Sequence, residues 1–178
     1  MLTNKLLSSK NIKLSHFSQE DLDTIQSWYG NEQTMRHFDA IPMKPKTEEE
    51  IKNWLSSTSK DTYRFAIRLN GTNELIGLAE LDGILWSHRT SWVSILIGNE
   101  GHWGKGYGKE AMRCIINYAF NELNLFRLQL TVFSYNERAI PLYENLGFKK
   151  EGSYRQFLER DGVRYDMHLY GLLRTEWK

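Results

Sequence analysis

The stretch GHWGKGYGKEA, from Gly101 to Ala111, places four glycines within eight positions, directly ahead of MRCIINYAFNEL (112–123). Each glycine raises the chain entropy lost on folding. Such density at the mouth of a helix implies that something approaches the backbone where side chains would be in the way. The run behind it keeps helical spacing through Met112, Ile115, Ile116, Ala119, Phe120 and Leu123. The stretch before it, SWVSILIG (91–98), is almost uninterrupted apolar sequence and reads as a central strand. Strand, glycine loop and helix N-terminus form a general anion site, because first-turn N–H groups lack intrahelical partners and the helix dipole favours negative charge.

Outward from that centre, the pattern alternates helices and strands. NIKLSHF (11–17) alternates as an opening strand. Ser18 with Asp21, and Thr47 with Glu50, are capping-box starts for helices with apolar stripes at Leu22, Ile25 and Trp28, and at Ile51, Trp54 and Leu55. The intervening NEQTMRHFDAIPMKP (31–45) reads as irregular or briefly helical, the kind of segment that carries substrate contacts. TYRFAIRL and ELIGLAELDGIL form two strands around Asn70-Gly71-Thr72-Asn73, and FRLQLTVFS (126–134) a further strand. NERAIPLYENLGF (136–148) is a helix capped by Asn136 and ended by Gly147, with Pro141 predicting a late start or a kink. Asp161-Gly162 predicts a closing hairpin. The fold class is α/β: a single domain, residues 1–178, with a mixed central sheet flanked by helices.

Composition narrows the function. With 23 basic and 22 acidic residues the net charge is +1, which gives no electrostatic footprint for nucleic acid or an anionic membrane. Aromatic residues make up 13%, including six Trp, which suits either a bulky core or a flat binding cleft. The lone Cys114 excludes an intrachain disulfide, fits a reducing compartment, and lies where a helix buries it. No Cys/His cluster has metal-ligand spacing, so no metal is expected. Neither a signal peptide nor a bilayer-spanning stretch is apparent, and a cytoplasmic enzyme or binding protein is the expectation.

Two nucleotide motifs test the loop. Gly101 and Gly106 have Walker spacing, but Tyr107 and Gly108 follow where Lys and Ser/Thr are required. Gly106, Gly108 and Ala111 do satisfy the dinucleotide pattern G-x-G-x-x-A. The acidic residue expected after the next strand is nevertheless missing from FRLQLTVFSY, and too little chain follows for a second mononucleotide-binding half.

WGKGYGKEA (103–111) followed by LNLFRLQLTVFSYNERAIPLYENLGFKKEG (123–152) resembles the Gcn5-related N-acetyltransferases, in particular the branch of ribosomal-protein and spermidine acetyltransferases. The resemblance runs from the opening strand to DGVRYDMHLYGLL. It is most specific where the loop meets N-x-x-A-x-x-x-Y-x-x-x-G-F, Asn136 to Phe148. It implies acetyl-CoA as donor, with backbone amides from Trp103, Gly104, Lys105, Gly106, Tyr107, Gly108 and Lys109 on the pyrophosphate and the pantetheine arm beside the central strand. It also implies an oxyanion-stabilising N–H among Ile95, Leu96 and Ile97, a coenzyme A contact at Asn136, and Tyr143 as the acid that reprotonates the coenzyme A sulfur. Tyr143 also shares a helical face with Ala139, Ile140 and Leu146, which suits simple packing. Two positions depart from the family: Trp92 stands where many relatives have Glu, and Trp103 where Gln or Arg is usual.

Acetyl transfer to an amine needs a neutral nucleophile, a stabilised oxyanion and a proton for the thiolate. Glu80 is the leading base in place of the missing Glu, with His88, Asp82, Asp166 or a water relay behind it. The implied reaction is direct transfer to a primary amine: a polyamine, another small amine or a protein N-terminus. A noncatalytic acyl-CoA-binding sensor on the same scaffold is the reading from a different class. Relatives are often dimers, which makes a homodimer the expectation for assembly.

Overall fold

The computed structural model describes residues 5–57 and 59–178. In chain order it runs β1 (Ile12–Ser15), α1 (Leu22–Tyr29), α2 (Glu32–Phe38), α3 (Glu48–Ser56), β2 (Tyr63–Leu69), β3 (Leu75–Leu85) and β4 (Thr90–Ile97). Then follow α4 (Tyr107–Asn121), β5 (Arg127–Phe133), α5 (Ala139–Asn145), β6 (Lys149–Arg160) and β7 (Val163–Leu173). Both capping boxes form. The Ser18 N–H donates to Asp21 Oδ2 at 2.7 Å, and Thr47 and Glu50 exchange hydrogen bonds of 2.8 and 3.2 Å.

All seven strands join one sheet in the order β1-β2-β3-β4-β5-β7-β6. The pairings are antiparallel except that between β4 and β5, which is parallel. β4 therefore occupies the central place its apolar sequence predicts. One face of the sheet is covered by α4 and α5: Met112, Ile115, Ile116 and Phe120 pack on Ile67, Leu81, Val93 and Leu130. The other is covered by α1 and α3, whose Leu22, Ile25, Trp28 and Ile51 meet Ala66, Leu78 and Leu96. A buried ion pair ties the two layers, with Arg68 of β2 donating to Asp21 at 2.6 Å.

Pro141 resolves as a late start. α5 begins at Ala139, so the proline occupies the first turn, where its missing N–H is no loss. Asp161 (φ +52°) and Gly162 (φ +76°) make the β6–β7 turn, with both central residues left-handed as a type I′ hairpin requires. β6 begins earlier than the hairpin motif suggested, at Lys149, and carries two register irregularities against β7.

Candidate active site

β4 and β5 pair only from Thr90 to Trp92 against Arg127 to Gln129. Beyond Trp92 the two strands part, and the gap becomes a cleft of about 770 Å³. Strand alternation decides which backbone groups face it. Gly98 N–H bonds to Ile76 O on β3, so its neighbour Ile97, and with it Ile95, turns the other way, toward the gap. The Ile97 carbonyl is already taken by Trp103 Nε1 at 2.8 Å. That leaves the N–H groups of Ile95 and Ile97 on an open strand edge. Leu96 differs: its carbonyl lies against Gly77 of β3, and its side chain enters the core under α1 and α3.

The glycine loop closes one end of this cleft. Gly104 (φ +73°) and Gly106 (φ +84°) take left-handed backbone that L side chains rarely adopt, and no atom lies within 4 Å of where either Cβ would sit. Helix α4 starts at the next residue, Tyr107, so its free N–H groups point into the cradle. The loop and the strand edge thus fit the phosphates and the extended arm of the donor implied by the resemblance. Tyr107, Gly108 and Lys109 also line the cleft, while Lys105, exposed in the loop, is not among its lining residues.

Tyr143 reaches the same cleft from α5. Its ring is buried, edge-on to Phe148 with centroids 6.0 Å apart, and burial pushes its pKa up to about 12. Its hydroxyl has no hydrogen-bond partner among the described residues and keeps its proton throughout the neutral range. Asn136 lines the cleft too. Its Oδ1 accepts from Ala139 N at 3.2 Å in the turn that leads into α5, whose N-cap position falls at Arg138 and not, as expected, at Asn136, and its Nδ2 reaches His37 O at 3.4 Å. The C-terminal end of α2 is held by other such bonds. Tyr135 donates to Arg36 O, and Arg160 Nη2 donates to Asp39 O at 2.9 Å and Ala40 O at 3.4 Å.

A second cleft of about 370 Å³ opens on the sheet face that carries α1 and α3. Phe38, Asp39, Val93, Ser94 and Thr131 line both clefts and so join them. Glu80 belongs here, one strand over from its register partner Ser94. One Glu80 oxygen is committed to Arg64, whose guanidinium stacks on Trp54 at 4.1 Å and donates to Trp54 O at 2.9 Å. Asp82 and Asp39 add two more carboxylates, neither in an ion pair among the described residues. Tyr29, Phe38, Trp54 and Trp92 supply aromatic walls.

Of the other base candidates, His88 lies in the β3–β4 turn and lines neither cleft. Asp166 accepts from Gln156 N at 2.9 Å, where β6 bulges with φ +51° at Gln156, which gives it a structural task. The α2 end lies within the segment 31–45 that the sequence marks for substrate contacts, whereas Ser94, Thr131 and Arg138 carry no local signal, because their placement depends on long-range pairing. Cys114 is buried in the core, as predicted, and burial pushes its thiol to about 11. Among the described residues no helix is long and apolar enough to cross a membrane.

Residues 11–149 match the family model described as an acetyltransferase (GNAT) domain. The chain is 32% identical to the spermidine N(1)-acetyltransferase of Escherichia coli K12 over 145 residues, covering 82% of this chain and 76% of that protein. It is 27% identical to an uncharacterized N-acetyltransferase of Bacillus subtilis, covering 95% of this chain and 97% of the other. A solved structure of spermidine N-acetyltransferase from Vibrio cholerae, in complex with CoA and spermine, superposes with a TM-score of 0.83 at 27% identity, over 93% of this chain and 96% of that one.

Proposed function

This chain belongs to the acetyltransferase (GNAT) family and is an acetyl-CoA-dependent N-acetyltransferase; from that premise we propose that it acetylates, by direct transfer, a primary amine carrying a second positive charge. The observation behind this reading is the second cleft. It joins the donor cleft at Ser94 and Thr131, and its walls combine three carboxylates with four aromatic rings. Carboxylates and ring faces both attract cations. The spermidine acetyltransferase relatives agree with such an acceptor.

Acetyl-CoA supplies an acyl thioester whose carbonyl carbon takes the new C–N bond as the C–S bond breaks. The chain's own groups serve the steps around it. Alkyl ammonium groups titrate near pH ~10, so the acceptor arrives charged and must lose a proton. Glu80, the register partner of Ser94 and with Oε1 unbonded among the described residues, takes that proton or passes it to water. N–H groups of Ile95 and Ile97 face the gap and stabilise the developing oxyanion without reorganisation. Tyr143 Oη offers a proton to the sulfur as it leaves. Direct transfer is favoured because the sole thiol, Cys114, sits in the core with a raised pKa. A homodimer and a one-domain organisation over 1–178 complete the proposal, the former read directly by light scattering.

Steady-state thiol release with diamines and monoamines of equal length tests the acceptor class. One charge-assisted contact contributes about 1.5–3 kcal/mol, so the diamine KM is expected roughly tenfold or more below the monoamine KM. Asp82→Asn is expected to narrow that gap and leave the acetyl-CoA KM unchanged. Equal KM values, or transfer confined to peptide N-termini, would discard the dication reading.

A further inference from the structure

Trp103 occupies the loop position where Gln or Arg is usual in this family, so the loop lacks a cationic or amide side chain there. The fold returns a cation to the same place from another element. Arg138, in the turn before α5, lays its guanidinium over the Trp103 ring, with Cζ 3.7 Å from the ring centroid. The indole cannot swing freely, because its Nε1 donates to Ile97 O at the end of β4. Both residues line the donor cleft beside Gly104 and Gly106. Arg138 is exposed, and its guanidinium makes neither an ion pair nor a hydrogen bond among the described residues.

A guanidinium stacked by its face keeps its N–H fork at the edge, the geometry that grips a phosphate through two bonds. Stacking on a fixed ring also restricts the side chain beforehand, so less freedom is lost when the anion arrives. An exposed Arg with no acidic partner, parked on an anchored Trp beside an open anion cradle, has no evident structural task. We propose that Arg138, oriented by Trp103, is a phosphate-binding residue for acetyl-CoA. The pair would replace, from the β5–α5 turn, what the loop lost at position 103. This rests on acetyl-CoA being the donor and is independent of the acceptor.

Calorimetric binding of CoA and of dephospho-CoA, at low and high salt, reads the assignment without turnover. Arg138→Met is expected to weaken CoA binding about tenfold at low salt and less at high salt, with the thermal midpoint of the free protein unchanged. Arg138→Lys keeps the charge without the flat stack and is expected to fall in between. Trp103→Leu should approach the Arg138→Met loss, and the double variant should be little worse than either single. A loss that vanishes with dephospho-CoA assigns the contact to the 3′-phosphate; one that persists assigns it to the pyrophosphate. Unchanged CoA affinity in Arg138→Met, or a loss equal at both salt concentrations, overturns the assignment. Fully additive losses in the double variant overturn the orienting role of Trp103. If the parent binds CoA but acetylates no amine, the transferase proposal fails while this one is still measured.

Discussion

Tyr143→Phe removes a single oxygen from α5 and leaves the ring where it is. The ring is buried and edge-on to Phe148, so Phe preserves the apolar packing. The lost hydroxyl makes no hydrogen bond among the described residues and opens onto the cleft, so its removal leaves no buried polar partner stranded. The variant is therefore expected to be no less stable than the parent near neutral pH. Alkali should separate them further. Burial holds the Tyr143 pKa at about 12 in the folded protein, above the ordinary phenol value of 10.0, so folding disfavours the phenolate: the parent's stability is unaffected below pH 10 and falls as pH rises through 12. That gap corresponds to roughly 3 kcal/mol, and urea unfolding of Tyr143→Phe should show a correspondingly shallower decline between pH 10 and 12. Turnover should move the other way. General acid assistance is worth about a hundredfold or more, so kcat is expected to fall roughly a hundredfold, or about 2.7 kcal/mol. CoA affinity, read by calorimetry, should hold. Turnover within twofold of the parent would remove Tyr143 from the chemistry, and loss of CoA binding would make its ring a structural element of the cleft.

Asp21→Asn leaves Arg68 buried opposite a neutral amide, and removing one partner of such a pair costs about 3–5 kcal/mol; a urea midpoint like the parent's would mean the pair adds nothing net. Arg160→Met releases the Asp39 and Ala40 carbonyls that fix the wall between the two clefts. The amine KM is expected to rise several-fold with the acetyl-CoA KM unchanged, and equal rises in both would count against separate donor and acceptor clefts.

Local chemistry made much of this fold legible. The capping boxes at Ser18 and Thr47, the Asp161-Gly162 turn and the glycine loop act within a few residues, and each appears where the letters place it. β4 was legible from its nearly continuous apolar run, although its second face is open at Trp92 and Ser94, where the second cleft lies. Helix α2 was harder. Its seven residues are too few for a clear helical period, and its start depends on the Asn31 side chain accepting from Thr34 N at 2.8 Å. The site divides along the same line. Gly104, Gly106 and Tyr143 lie inside motifs, whereas the second cleft is assembled by strand register, which sets Glu80 against Ser94 and Asp82 against Trp92. Strand alternation alone could have separated Ile95 and Ile97 from Leu96, given one fixed hydrogen bond such as that of Gly98. Nothing local marks Arg138 as the neighbour of Trp103, because that contact exists only after β5 has paired beside β4.

The central claim is that this cleft transfers acetyl from acetyl-CoA to an amine. Its most direct test is thiol release from acetyl-CoA in the presence and absence of a diamine, with acetylated amine quantified in the same samples. Release that depends on the amine and matches the acetylated product one for one is the expected result. CoA binding accompanied by no release, or release that proceeds equally without an amine, would contradict it.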